Sequence, residues 1–450
     1  MSDYPARLHA AIPGGAHTYS RGDDQFPSNA PAILSRGEGA YVWDPSGRRY
    51  LDYGMALRAV TLGYAHERVN AAAIRGITDG VNLTRATTVE LEAAERLIGL
   101  IGSVDMVKFA KNGSNVTTAA VKIARACTGR EYVCVPREQP FFSFDDWFIG
   151  KTSLTRGIPD PHTSRTLMFS YGDLSSLQAL FDANPGQIAA VMMEPATTLL
   201  PCPSVGDRPW SREAILAGAV GGTFLHDVQA LCRKQGALFI LDEMITGFRW
   251  RQDGAQGFFN VEPDLTTFGK GMANGFSVAA VGGKREFMKV GSIEEPGAER
   301  TFLLSTTHGA EMPGMAAFIA AMQVYEDSAV VDHLWTYGEK LLEGLASVAR
   351  DAGVDGAFRL DGSAICMNYV TQDAQGQPSL AFRTLFAQEM VRHGVLMPWV
   401  AVSLAHGDSE LNQTLDAARK ALTVYAQALE GGLEGLLEGA AIKPVFRRHN

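Results

Sequence analysis

Short apolar runs alternating with helical stretches fill the middle of this chain, and they constrain its fold more than any other feature. The runs lie at 132–135, 166–169, 189–193, 238–241 and 278–281. Each is short enough for a buried strand and too short for a buried helix. Between them come stretches with helical periodicity. That alternation predicts an α/β fold around a mainly parallel sheet. Sheets of this kind hold ligands beyond the carboxyl ends of their strands. The residues just after each run therefore deserve the closest reading.

Bulk properties narrow the class further. The chain has 450 residues, 46% of them hydrophobic and 20% charged, enough for a large core and two domains. Its net charge of -9 argues against a nucleic-acid surface. No apolar run is long enough to span a bilayer. The start, Met1-Ser2-Asp3-Tyr4-Pro5, lacks the basic-then-apolar layout of a signal peptide. Five scattered cysteines form no CxxC pair and read as reduced thiols, so the expected location is the cytoplasm. No metal-binding spacing is present, and no metal is expected.

Outside the central alternation, residues 1–35 read as irregular. Residues 39–44 and 49–53 read as a hairpin turned by Pro45-Ser46-Gly47. Helical spacing is expected at 87–101, from Gly113 to about Cys127, at 311–325 and at about 409–429, with a strand at 364–370. Met106-Val107-Lys108-Phe109-Ala110 reads as a further strand.

One lysine stands out. Lys270 lies between Gly269 and Gly271, with Gly275 and Ser277 beyond. A lone lysine is by default a solvated surface charge. Here the flanks are apolar or small, and glycines permit close approach of backbone or ligand. Upstream, the strand-like Ala237-Leu238-Phe239-Ile240-Leu241 ends in Asp242 and Glu243. An acid at a strand end followed by a glycine-flanked lysine suits an aldehyde cofactor. The lysine forms a Schiff base, and the acid holds a ring nitrogen protonated.

The paired segments LDEMITGFR and PDLTTFGKGMANGFSVAAVGG resemble the class III (fold type I) aminotransferases, in their glutamate-1-semialdehyde aminomutase-like branch. The resemblance runs from about Ile12 to about Leu422. It implies pyridoxal 5'-phosphate (PLP) as cofactor and a homodimer with shared active sites. It also implies a large PLP-binding domain at 61–318 and a smaller α/β domain built from 1–60 and 319–450.

The resemblance assigns roles residue by residue. Lys270 is the Schiff-base lysine and acid–base group, and Asp242 is the acid facing the ring nitrogen. Gly113, Ser114 and Asn115, between a strand and a helix, are placed at the phosphate; alone, Asn112-Gly113-Ser114 would pass for an ordinary helix cap. The family usually has glutamate where this chain has Asn115. Thr307, with Thr306 as the one-residue shift, matches a threonine reaching the phosphate from the other subunit. Met244 and Ile245 resemble the apolar cover on one ring face. Phe141, with Phe142 as alternate, is the aromatic for the other. Glu194 matches a glutamate near the cofactor, and Glu243 reads as a neighbouring charge.

On the substrate side, Arg21 matches a carboxylate-binding arginine, and arginine suits a bidentate clamp. The aminomutase has a tryptophan where this chain reads Ala56-Leu57-Arg58. Its substrate-side glutamate segment is missing around Pro398-Trp399-Val400. Arg58 and Trp399 are thus expected in an altered pocket. These departures favour intermolecular amino transfer. The donor would be an amino acid such as glutamate, and the acceptor an aldehyde or keto compound, including sugars and sugar acids of surface-polysaccharide or natural-product pathways. The aminomutase reaction, racemisation or epimerisation, and a non-enzymatic binding role stand as alternatives.

Overall fold

The computed structural model describes residues 3–449. The chain divides into two compact units. One comprises the described residues of Met1–Leu57, Leu62–His66 and Asp332–Asn450; the other comprises Arg58–Thr61 and Glu67–Val331.

The second, larger unit is built on a seven-stranded sheet. In spatial order its strands are Met106–Ala110, Ala279–Gly283, Leu265–Phe268, Leu238–Asp242, Ile188–Met193, Tyr132–Pro136 and Thr166–Phe169. All neighbours pair in parallel except around Ala279–Gly283, which is antiparallel to both of its partners. Every residue of Ile188–Met193 and Leu238–Asp242 is buried. Helices on a parallel sheet cover both faces, which is why these strands read as unbroken apolar runs. The helix Gly113–Thr128 contributes Val116, Ala119, Ala120, Ile123 and Ala124 to the same core as Val133, Ala190 and Ile240. The helix Met312–Asp327 is buried along most of its length. That explains a sequence with little polar face.

The other unit holds a four-stranded sheet and a two-stranded hairpin. Tyr41–Trp43 and Arg49–Asp52 pair antiparallel, as the hairpin pattern requires. Asp44 Oδ1 accepts from the Ser46 and Arg48 amides and fixes that turn. Val395–Leu396 adds in parallel to Arg49–Asp52. The long helix Asp408–Gly431 buries Thr414, Ala418, Leu422 and Tyr425 on one face.

Three expectations need correction or completion. Residues 1–35 are not wholly irregular: Tyr4–Ala11 is a helix, capped by Asp3 Oδ1 on the Ala6 amide. It buries no residue, so it has no apolar stripe to betray it. Leu265–Phe268 is a strand, hidden by its two threonines, both fully buried. The strand expected at 364–370 is Cys366–Thr371, paired with Phe358–Ser363. Among the described residues no helix is long and apolar enough to cross a membrane.

Candidate active site at the carboxyl edge of the large sheet

The sheet turns sequence distance into proximity. Ile188–Met193, Leu238–Asp242 and Leu265–Phe268 are consecutive parallel neighbours. Their carboxyl ends deliver Glu194, Asp242 and Lys270 to one edge. Asp242 lies opposite Thr267 in the register, two residues before the loop that carries Lys270.

Asp242 is 2% exposed. Its Oδ1 accepts from the Met244 amide at 3.0 Å and the Thr267 hydroxyl at 3.1 Å. Oδ2 accepts from no described residue, so one oxygen is fixed and the other is left available. Burial pushes the carboxyl up to about 6; Lys270 and the two hydrogen bonds act in the opposite sense. Glu194 is also buried, and its carboxylate has no hydrogen bond among the described residues. Burial and the nearby Asp242 push it up to about 8, against the pull of Lys270 and Arg58. Gln139 pins the Glu194 backbone on both sides, donating Nε2 to its carbonyl at 2.9 Å and accepting its amide at 2.8 Å.

Lys270 follows an extended Gly269 and itself adopts φ 41°, a left-handed conformation rare outside glycine. Such strain costs about 1–3 kcal/mol and survives only where the surroundings impose it. Its amine donates to no described residue. Burial depresses its pKa; Asp242 and Glu194 oppose the shift, while Arg58 and Arg249 add to it.

The glycines flanking this lysine make room for protein neighbours. A Cβ on Gly269 would lie 2.6 Å from the Met244 sulfur, and one on Gly113 3.0 Å from the same atom. Met244 thus packs between the loop before Lys270 and the start of the helix Gly113–Thr128. A Cβ on Gly271 would lie 2.9 Å from Thr61 Cγ2.

That helix start combines the two readings its sequence allowed. Asn112 is the cap, with Oδ1 accepting the Asn115 amide at 3.0 Å. The Gly113 and Ser114 amides donate to no described residue, as expected of a first turn. Ser114 Oγ accepts the Phe144 amide at 3.0 Å, so its hydroxyl already serves the fold. Two orphan amides at a helix N-terminus suit a phosphate.

The other sequence candidates are placed as follows. Both rings stand edge-on to Phe148, but Phe142 is 2% exposed and sits in the core, whereas Phe141 is 45% exposed. Thr307 and Thr306 are exposed, and the Thr307 carbonyl accepts from Asn82. Glu243 has a different place from Asp242: its carboxylate accepts from Thr246 Oγ1, the Ala255 amide and the Gln256 amide and side chain. It braces a loop. Arg58 is half-buried in the same unit as Lys270, at φ 65°, and its Nε is buried with no hydrogen-bond partner. Arg21, exposed in a 3-10 turn, and Trp399, whose indole N–H donates to the Gly54 carbonyl, belong to the other unit.

Sequence reasoning gave no role to Thr267, Gln139 or Arg249. Arg249 lay within the quoted LDEMITGFR motif, where an arginine among apolar residues was a signal. The other two carried none. Among the described residues, no cluster of three or more His, Cys, Asp or Glu could hold a metal ion.

A buried lysine with a depressed pKa, an acid presenting one free oxygen and a helix start with orphan amides lie in one unit and could hold a phosphorylated aldehyde cofactor. Residues 23–405 match the model of the family described as aminotransferase class-III. The chain belongs to the class-III aminotransferases. It is 28% identical over 434 residues to a glutamate-1-semialdehyde 2,1-aminomutase of Alkaliphilus metalliredigens (strain QYMF), covering 91% of this chain and 93% of that one. Among solved structures it is similar to the FumI protein of Sphingopyxis sp. MTA144 in its PLP internal aldimine form (TM-score 0.82, 25% identity, 95% of this chain and 97% of that one). It is also similar to an omega-transaminase from Sphaerobacter thermophilus (TM-score 0.80, 25% identity, the same coverage). As a class-III aminotransferase with this site, the protein is a PLP-dependent transaminase of fold type I.

Proposed function

We propose that the enzyme moves an amino group from an amino-acid donor, glutamate in the simplest case, to an aldehyde or keto acceptor that carries an anionic group. Sugar acids of surface-polysaccharide or natural-product pathways are acceptors of this kind. The observation that carries the proposal is the convergence of Lys270, Asp242 and Glu194 with an unpartnered Arg58 guanidinium in one unit.

When bound, PLP supplies an aldehyde that captures amines and a ring that draws electrons from the substrate carbon. Lys270 would anchor the cofactor through Nζ. Its depressed pKa would let this amine take and give back a proton at the substrate carbon. Asp242, through its free Oδ2, would hold a proton on the ring nitrogen. Gly113 and Ser114 would offer backbone amides to the phosphate, with Asn115 behind them in the first helical turn. Met244 and Phe141 would supply the apolar contacts to the ring. Glu194 sets the charge balance between Asp242 and Lys270. Arg58 would take an anionic group of a substrate.

A homodimer with shared sites is part of the proposal. Thr307 is exposed, and Ile74, Ile77 and Leu83 are each more than half exposed. Exposed apolar side chains suit a partner subunit, and the Asn82–Thr307 hydrogen bond ties Thr307 to the segment that bears Leu83. Mixing Lys270→Ala with Thr307→Ala chains tests the sharing: hybrids should regain one intact site.

A donor screen that follows bleaching of the cofactor absorbance, then mass spectrometry with candidate carbonyl acceptors, tests the activity. Donor alone should bleach the cofactor and acceptor should restore it. Efficient isomerisation of glutamate semialdehyde without an external donor would establish the aminomutase reaction instead, the activity in the name of the Alkaliphilus relative.

A further inference from the structure

Arg249 is a guanidinium only 2% exposed, yet it lies at the catalytic edge. Its Nη2 donates to the Arg58 carbonyl at 2.8 Å, and its Nε donates to the Ile245 carbonyl at 3.2 Å. A Cβ on Gly271 would lie 3.9 Å from the same Nη2. One side chain therefore meets three segments: the stretch bearing Arg58, the stretch that follows Asp242, and the turn that bears Lys270.

The Arg58 segment needs such support. Met55, Ala56, Leu57 and Arg58 all have positive φ, at 40°, 48°, 64° and 65°. None is glycine, so the backbone will not hold this shape unaided. Beyond Arg58, the Thr61 amide donates to Asn274 Oδ1 at 3.0 Å, and the Thr61 hydroxyl reaches the Gly271 carbonyl at 3.4 Å. Residues 58–61 are thus stitched to the Lys270 turn at both ends, with Arg249 as the stitch at Arg58. The Arg58 guanidinium itself donates to no described residue, although its Nε is buried. A half-buried guanidinium without hydrogen-bond partners, with Glu194 as a charge neighbour, is prepared for an anionic oxygen.

We propose that Arg249 is a positioning residue that fixes the Arg58 backbone against the Lys270 turn, so that the Arg58 guanidinium is presented to a carboxylate of one substrate. The inference rests on the proposed substrate role of Arg58. Arg249 acts through backbone carbonyls and meets no substrate. Its charge has a second effect, on Lys270, which also faces Asp242, Glu194 and Arg58.

The test uses Arg249→Gln, Arg249→Lys and Arg58→Met, alone and combined. In cofactor-free protein, calorimetric titration with glutarate measures carboxylate binding. Arg58→Met and Arg249→Gln should each weaken binding about ten-fold, and the double variant should be no weaker than either single one. Arg249→Lys keeps the charge but loses the two-carbonyl fork, and it should behave like Arg249→Gln. In the loaded enzyme, the kcat/KM ratio for glutamate over alanine should fall about ten-fold in all three, mostly through KM. If Arg58→Met weakens glutarate binding and Arg249→Gln does not, or if their effects add fully, the inference is wrong and the role of Arg58 stands. Equal losses on glutamate and alanine also overturn it, because a purely structural arginine would act that way. If wild-type protein does not bind glutarate, or Arg58→Met leaves binding unchanged, the substrate role of Arg58 falls and the inference falls with it.

Discussion

Asp242 and Glu243 are adjacent in sequence, both carboxylates and both buried, yet they face two different regions. Asp242 faces the catalytic edge, where two donors hold one oxygen and the other accepts from no described residue. Glu243 faces the loop behind, where hydroxyl, amide and side-chain donors occupy both oxygens. Burial raises both, to about 6 and about 7. A shifted pKa alone would not tell them apart. The count of partners does: a fully satisfied buried acid holds the fold together, and a half-satisfied one waits for a ligand.

Substitution should separate the two regions sharply. Asp242→Asn should bind cofactor yet lose on the order of 100-fold or more in turnover, because the charge at the free oxygen is gone. Its melting temperature should stay close to wild type, since the Thr267 and Met244 donors can still meet the amide oxygen. A turnover near wild type, measured under saturating donor, would make Asp242 structural like its neighbour.

Glu243→Ala should do the reverse. It strands the Ala255 and Gln256 amides and the Thr246 hydroxyl, and should cost about 3 kcal/mol or more of stability. The fraction that stays folded should keep most of its activity per loaded site. A stable but inactive variant in paired denaturation and rate measurements would erase the contrast.

The smallest effect concerns Glu194. Its folded pKa of about 8 lies above the ordinary 4.5, so the native state binds more protons than the unfolded one. This contribution to the stability of cofactor-free protein is therefore present below about pH 4.5 and is lost as pH rises through about 8. Glu194→Gln should flatten the fall in melting temperature between pH 5 and 9, while contributions shared by both proteins cancel. Parallel curves would mean that Glu194 is not a buried acid in this state.

The two regions also differ in how legible they were. The alternation of apolar runs was enough to anticipate the parallel sheet, because strands buried on both faces have no polar positions to blur them. Asp242 stood out because charges are conspicuous at the ends of apolar strands, and Lys270 because glycines and apolar residues flank it. The strand Leu265–Phe268 was missed because the hydroxyls of Thr266 and Thr267 interrupt its apolar run, and only the register shows Thr267 bracing Asp242. The glycines beside Lys270 were legible as close approaches, but the neighbours they admit, Met244 and Thr61, emerge only in three dimensions. Arg249 was visible as a residue and invisible as a link, since its partners at Arg58 and Ile245 are backbone atoms. Side chains that serve backbone carbonyls leave no pattern in the sequence around those carbonyls.

The central claim is that Lys270, in the turn that follows the strand beside Asp242, carries the cofactor. Borohydride reduction of the loaded enzyme, followed by peptide mapping, tests it most directly. The account predicts the pyridoxyl group on Lys270 and its loss in Lys270→Ala. Recovery of the label on Lys284 or Lys289 would contradict it.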